Sequence, residues 1–137
     1  MMSTKQPHFL YVEDDPHSRE VLQMILKKVM GYQHIHFFEN SENFMDRLRS
    51  LPQVPDVIFL DIQIRPQNGY EILTQLRADP AYQSVKVVAL TASVMVQDVA
   101  RLQETGFDGL IGKPVAHKVF PRLLNDIFAG RPVWYIP

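Results

Sequence analysis

Five short stretches of the chain are apolar without helical spacing and are closed by polar or turn residues. They cover residues 9–12, 34–38, 56–61, 85–90 and 109–112. Runs rich in Val, Ile, Leu and Phe without alternation predict strands covered on both faces, as in a parallel sheet. The run at 34–38 (HIHFF) alternates in part and belongs nearer an edge. Helical patterns fill the intervals. Val21, Leu22, Ile25, Leu26 and Val29 mark the first, with Pro16 in its opening turn and Gly31 as its stop. Phe44, Leu48 and Leu51 mark a second, opened near Asn40 or Ser41, and Ile72, Leu73 and Leu76 a third that begins near Gly69. Val96, Val99, Ala100 and Gln103 mark a fourth, capped by Ser93 and ended by Gly106. Val119, Leu123, Ile127 and Phe128 mark a fifth, ending at Gly130. Five strands each followed by a helix predict an α/β fold, a doubly wound five-stranded parallel sheet, because right-handed crossovers lay helices on both faces. The segment 131–137 (RPVWYIP) is aromatic, holds two prolines and is expected to pack back onto the domain.

Composition narrows the picture. At 137 residues the chain is one domain, and at 46% hydrophobic and 21% charged it can bury a sizeable core. Fourteen Lys+Arg against fifteen Asp+Glu give a net charge of −1, which argues against nucleic-acid binding by phosphate neutralisation. There is no Cys, hence no disulfide framework and no thiolate chemistry, and a cytoplasmic location is the expectation. No apolar run approaches the roughly 18–20 residues of a membrane span, and the N-terminus lacks the apolar stretch of a signal peptide.

In open α/β sheets, ligands sit beyond the carboxyl ends of the strands. The first predicted strand runs into Glu13, Asp14 and Asp15, the third ends in Asp61, the fourth meets Thr91, and the fifth is followed by Lys113-Pro114. Asp15, just before Pro16, fits a helix N-cap. Glu13 and Asp14 singly read as solvated acids, Thr91 as a helix-start hydroxyl and Lys113 as a surface lysine. Asp61 ends an apolar strand, and a carboxylate there needs a partner or a task. The convergence of all of them on one sheet edge outweighs the separate readings. His34 and His36 point the same way on a strand, but with no third ligand in view they read as ordinary histidines. His17 belongs on the outer face of the first helix, and the six Met are core filler.

The segments FLYVEDDPHSR, VIFLDIQIRPQNGYEIL, VVALTAS and GLIGKP, in this order over residues 8–130, resemble the receiver domain of two-component response regulators. The resemblance implies a flavodoxin-like (βα)5 fold with strand order 2-1-3-4-5. It implies Asp61 as phosphoacceptor, Thr91 and Lys113 as the groups that bind phosphoryl oxygens, and Mg²⁺ (or Mn²⁺) held by Glu13, Asp14, Asp61 and the backbone carbonyl of Gln63. It further implies a phosphoryl group taken from a phosphohistidine on a sensor histidine kinase or histidine phosphotransfer protein, and a cis Lys113–Pro114 bond. Output goes through protein contact at the surface of the fourth helix, fifth strand and fifth helix, which is also a possible homodimer face. No nucleic acid or membrane partner follows, and the only catalysis implied is of the domain's own phosphorylation and dephosphorylation.

Two positions depart from the family pattern. Arg65 stands where the family usually has Pro, with Pro66 one later, so the loop conformation is expected to change and Arg65 to face solvent. Leu110 stands where an aromatic usually turns inward, which puts readout rather than chemistry in question. Gln63 and Ser93 occupy the positions that tune phosphoryl lifetime. With the receiver over 8–130, only the segment from Arg131 remains, and the chain is expected to be a stand-alone receiver. Two rivals belong to other classes. One is an interaction module of this fold that works without phosphorylation, favoured by Leu110 and the displaced Pro66. The other is a phosphatase of the haloacid dehalogenase type, which needs a second acid two residues after its Asp nucleophile, where this chain has Gln63.

Overall fold

The computed structural model describes residues 6–92 and 94–137. The chain order is β1 (His8–Val12), α1 (Pro16–Met24), β2 (His34–Phe38), α2 (Phe44–Arg49), β3 (Val57–Leu60), α3 (Gly69–Ala78), β4 (Lys86–Thr91), α4 (Val96–Thr105), β5 (Gly109–Gly112), α5 (Phe120–Phe128) and β6 (Val133–Tyr135). Every strand pairing is parallel, and the sheet order is β2-β1-β3-β4-β5-β6. The expected order 2-1-3-4-5 is therefore present, extended by a sixth strand. The five-stranded expectation is corrected here, because the tail packs back as an edge strand on β5.

Alternating side chains split the core into two layers, one on each sheet face. Leu10, Val12, Ile58 and Leu60 pack with Phe44, Leu48, Leu73 and Leu102 of α2, α3 and α4. Phe9, Tyr11, Val57 and Phe59 pack with Leu22, Phe120, Leu124 and Ile127 of α1 and α5. β1 and β3 are buried along their whole length, which is why they read as continuous apolar runs.

Helix boundaries follow local chemistry. The Asp15 carboxylate caps α1 by accepting from the backbone N–H groups of His17 and Ser18, with Pro16 at the first turn. The first helix continues past α1 as a π-helical turn over Ile25–Val29, which apolar spacing alone cannot distinguish from α-helix. α2 begins three residues later than Ser41, after Asn43 in the left-handed region (φ 49°). Ser41 has another task. Its buried hydroxyl donates to the Gln67 carbonyl at 2.6 Å and accepts from the Gln67 N–H at 2.7 Å, pinning the β3–α3 loop. Asn68 and Glu71 form a reciprocal capping box on α3. Gly69 is favoured by close backbone approach, since a Cβ there would meet Ile62 Cα at 3.0 Å and the Asp61 carbonyl oxygen at 3.4 Å. The expected Ser93 cap of α4 lies outside the described residues; Asp98 in the first turn of α4 accepts from the Met95 N–H.

Opposite the site, Arg77 ties α3 to the start of β4. It donates to the carbonyl of Val85 at 2.9 Å and to the Asp108 carboxylate at 2.8 Å, and Asp108 also accepts from the Val87 N–H. Arg77→Met leaves the partly buried Asp108 carboxylate with the Val87 N–H but without its charged partner and is expected to lower stability by about 1.5–3 kcal/mol, the scale of a hydrogen bond to a charged group. Urea denaturation at neutral pH measures it.

Candidate functional site

The parallel register brings the expected residues to one edge of the sheet. Val12 pairs with Leu60, so the residues that follow, Glu13 and Asp61, emerge side by side, and the Asp61 N–H donates to the Val12 carbonyl at 3.1 Å. Thr91 ends β4 opposite Gly112 of β5, and the Lys113 N–H donates to the Thr91 carbonyl at 2.9 Å. Thr91 is buried, Asp61 half-buried and Asp14 exposed. Carboxylate oxygens of Glu13, Asp14 and Asp61 lie within 4.8 Å of one another, a donor set suited to a hard divalent cation. The Gln63 backbone N–H donates to Asp61 Oδ1 at 3.2 Å, which holds the backbone of Gln63 against the same carboxylate.

The Lys113 ammonium donates to Glu13 Oε1 and approaches Asp61 Oδ2 at 3.4 Å. One cation thus bridges two of the three acids and offsets their mutual repulsion. Glu13 has further donors: the Tyr11 hydroxyl at 3.0 Å on the same carboxylate oxygen and the Asp15 N–H at 3.2 Å on the other. Burial pushes the Glu13 carboxyl above the ordinary carboxylate range, and the Lys113 hydrogen bond opposes that rise. The Tyr11 phenol is held protonated far above its ordinary range, first by burial and then by the charge of Glu13. Tyr11 was not singled out from the sequence. The available signal was spacing, since residues two apart on a strand share a face.

Asp14 and Asp61 line a cleft of 780 Å³ between the β3–α3 loop and α4, with Arg65, Tyr70, Asp98 and Arg101 on its other walls. The Arg101 guanidinium sits 3.8 Å over the Tyr70 ring and closes the far side of the cleft. Arg65 is exposed, and its carbonyl accepts from the Ser41 N–H, so the displaced Pro66 leaves an ordered loop. The Arg65–Pro66 and Lys113–Pro114 bonds are both cis. His17 is exposed on α1. The ring of His34 stacks on that of His8 at 4.2 Å, and among the described residues the only clustered metal-binding side chains are Glu13, Asp14 and Asp61.

The family model of the response regulator receiver domain matches residues 9–125. The chain belongs to the response regulator receiver family. Among relatives, the receiver is 32% identical over 120 residues to "Response regulator Rre1" of Synechocystis, covering 88% of this chain and 51% of that protein. It is 29% identical over 109 residues to "Stress response regulator protein 1" of Meyerozyma guilliermondii, covering 80% of this chain and 50% of that one. The chain spans about half the length of these curated relatives. Among solved structures, the receiver superposes on the bacteriophytochrome response regulator RtBRR with a TM-score of 0.77 at 28% identity, covering 90% of this chain and 78% of the other. It also matches the signal receiver domain of a signal transduction histidine kinase from Syntrophus aciditrophicus, with a TM-score of 0.76 at 29% identity and coverage of 90% and 91%. The protein is thus a receiver domain of two-component signalling, in which such domains work with histidine kinases and downstream targets. No helix among the described residues is long and apolar enough to cross a membrane.

Proposed function

We propose that this receiver takes a phosphoryl group from a phosphohistidine of a sensor kinase or histidine phosphotransfer protein onto Asp61. Support comes chiefly from one observation, the bridging of Glu13 and Asp61 by the Lys113 ammonium beside a third carboxylate, Asp14. An Asp61 oxygen attacks phosphorus, the P–N bond of the donor breaks, and the imidazole leaves carrying the electron pair, which a proton then neutralises. Asp14 and Asp61, with Glu13 behind them and the Gln63 carbonyl, would hold Mg²⁺, or Mn²⁺, which when bound neutralises charge on the transferred group. Lys113 supplies a fixed positive charge to the phosphoryl oxygens and Thr91 a hydroxyl donor. Catalysis is confined to the domain's own phosphorylation and dephosphorylation, and the site lies in the cytoplasm. Output is a protein contact at the face of α4 and α5, where β6 and not β5 forms the sheet edge, and this face also suits a second copy.

The test is incorporation of label from a small-molecule phosphodonor with Mg²⁺. The wild type is expected to gain one phosphoryl group per chain, as an acyl phosphate released by hydroxylamine, and Asp61→Asn none. A wild type that stays unlabelled with both kinase and small-molecule donors would favour the phosphorylation-independent interaction module. Sustained turnover of an aryl phosphate that depends on Asp61 would favour the phosphatase class.

A further inference from the structure

The sixth strand makes contacts that a loose tail has no reason to make. Its register on β5 is Gly109↔Val133, Leu110↔Trp134 and Ile111↔Tyr135. Val133 is buried, Tyr135 packs on the core layer of α1 and α5, and Trp134 packs on the opposite layer, the one that holds Leu110. Both ends of β5 are glycines, and both are closed in by the tail. A Cβ on Gly109 would meet the Val133 carbonyl oxygen at 2.8 Å. A Cβ on Gly112 would meet Pro137 Cδ at 2.8 Å, Val94 Cγ1 at 3.0 Å and the Tyr135 carbonyl oxygen at 3.4 Å. Gly112 is the residue before Lys113 and the register partner of Thr91. Val94 belongs to the loop that follows Thr91. Thus the tail and the loop that leaves Thr91 both close in on Gly112, the residue that carries Lys113 and pairs with Thr91.

We infer that the docked tail strand β6 holds Lys113 and the Thr91 strand end in their resting positions, and that its docking is coupled to the occupancy of Asp61. The inference rests on the reading of Asp61 as phosphoacceptor. A phosphoryl group on Asp61 adds negative charge 52 positions away in sequence but directly beside the Lys113 ammonium. Lys113 moves toward the new oxygens, Gly112 moves with it, and the contact among Gly112, Pro137 and Val94 opens. The tail then loosens at its Pro137 end and Trp134 gains exposure. Linkage makes the effect reciprocal: undocking the tail must favour the occupied site by the same factor. Leu110, which lacks the aromatic ring usual at its position, is paired with the one indole in the chain.

Because Trp134 is the only tryptophan, its emission reports the tail alone. Beryllofluoride with Mg²⁺, a stable phosphoryl mimic, is the probe. The expected result is a red shift of Trp134 emission and faster amide exchange at residues 133–135, both absent in Asp61→Asn. Val133→Asp places a charge in a buried tail position remote from the acids. It is expected to shift the emission without ligand and to tighten beryllofluoride binding about fivefold, the lower end of common allosteric couplings. Gly112→Ala is a second route to an undocked tail, and amide exchange at Lys113 should rise with that at Tyr135. The outcomes separate cleanly. If beryllofluoride binds while Trp134 emission stays fixed and Val133→Asp leaves the affinity unchanged, the coupling is wrong and the phosphoacceptor reading stands. If beryllofluoride does not bind, the phosphoacceptor reading fails. The Gly112→Ala exchange data then decide the positioning role by themselves, and exchange at Lys113 unmoved by tail release would overturn it.

Discussion

Lys113→Met is expected to cut phosphoryl incorporation at Asp61 by about 10²–10³-fold, the usual consequence of removing one preorganised charge from a developing anion. The same change acts on the resting fold. Glu13 is wholly buried and its carboxylate keeps only the Tyr11 hydroxyl and the Asp15 N–H as donors once the ammonium is gone. Breaking a buried pair from one side costs about 3–5 kcal/mol. The two remaining donors and the partial exposure of Lys113 place the loss toward the low end of that range. Rate and stability therefore fall together, which radiolabel time courses and thermal unfolding can measure on one preparation. Lys113→Arg keeps the charge but replaces a compact ammonium with a planar fork, and is expected to restore stability more fully than rate. A Lys113→Met protein that labels at the wild-type rate would remove Lys113 from the transfer step.

Phe59→Ala is expected to destabilise the domain by about 3–5 kcal/mol, as large-to-small changes of buried aromatics do. Phe59 lies on a strand buried at every position, and its ring meets those of Phe9, Tyr11 and Phe120 at centroid distances of 6.3, 6.4 and 5.8 Å. These partners come from β1 and α5, so the void opens where the central strands meet a covering helix. Relaxation into it is limited, because Asp61, two residues on, fixes the backbone through its N–H bond to Val12. Denaturant midpoints are the measure, with Phe59→Leu as a milder companion expected to lose less than half as much. Equal losses in the two variants would mean that ring geometry rather than volume holds this layer together.

The strands were legible because both sheet faces are covered, so each strand prints an unbroken apolar run. The site was legible for a related reason. In a parallel sheet all strands end on the same side, and a polar residue just after an apolar run is placed there by topology alone. What the sequence hid is local. Asn43 starts α2 late through a left-handed backbone, and no pattern of apolar residues records that. The π-helical turn at Ile25–Val29 preserves the spacing of an α-helix closely enough to pass as one. β6 leaves no signal in the sequence because a strand of three residues is too short to show a period. Tyr11 reads as one more apolar position of β1, although its hydroxyl reaches the buried acid. Arg77 and Asp108 are 31 residues apart and meet only once the sheet has formed.

The place where the sheet stops bears on how the protein behaves at high concentration. An exposed sheet edge offers unpaired N–H and C=O groups to other molecules, and long flat edges seed aggregates. Without the tail, β5 would present such an edge, carrying glycine at both ends and no charge along its length. β6 replaces it with a strand of three residues, set between Pro132 and Pro137, neither of which can donate to a further strand. Sheet growth by addition of another chain is thereby disfavoured on this side. The tail gives the receiver protection against edge-to-edge strand pairing, and variants that undock it are expected to become less soluble as their sites become easier to occupy.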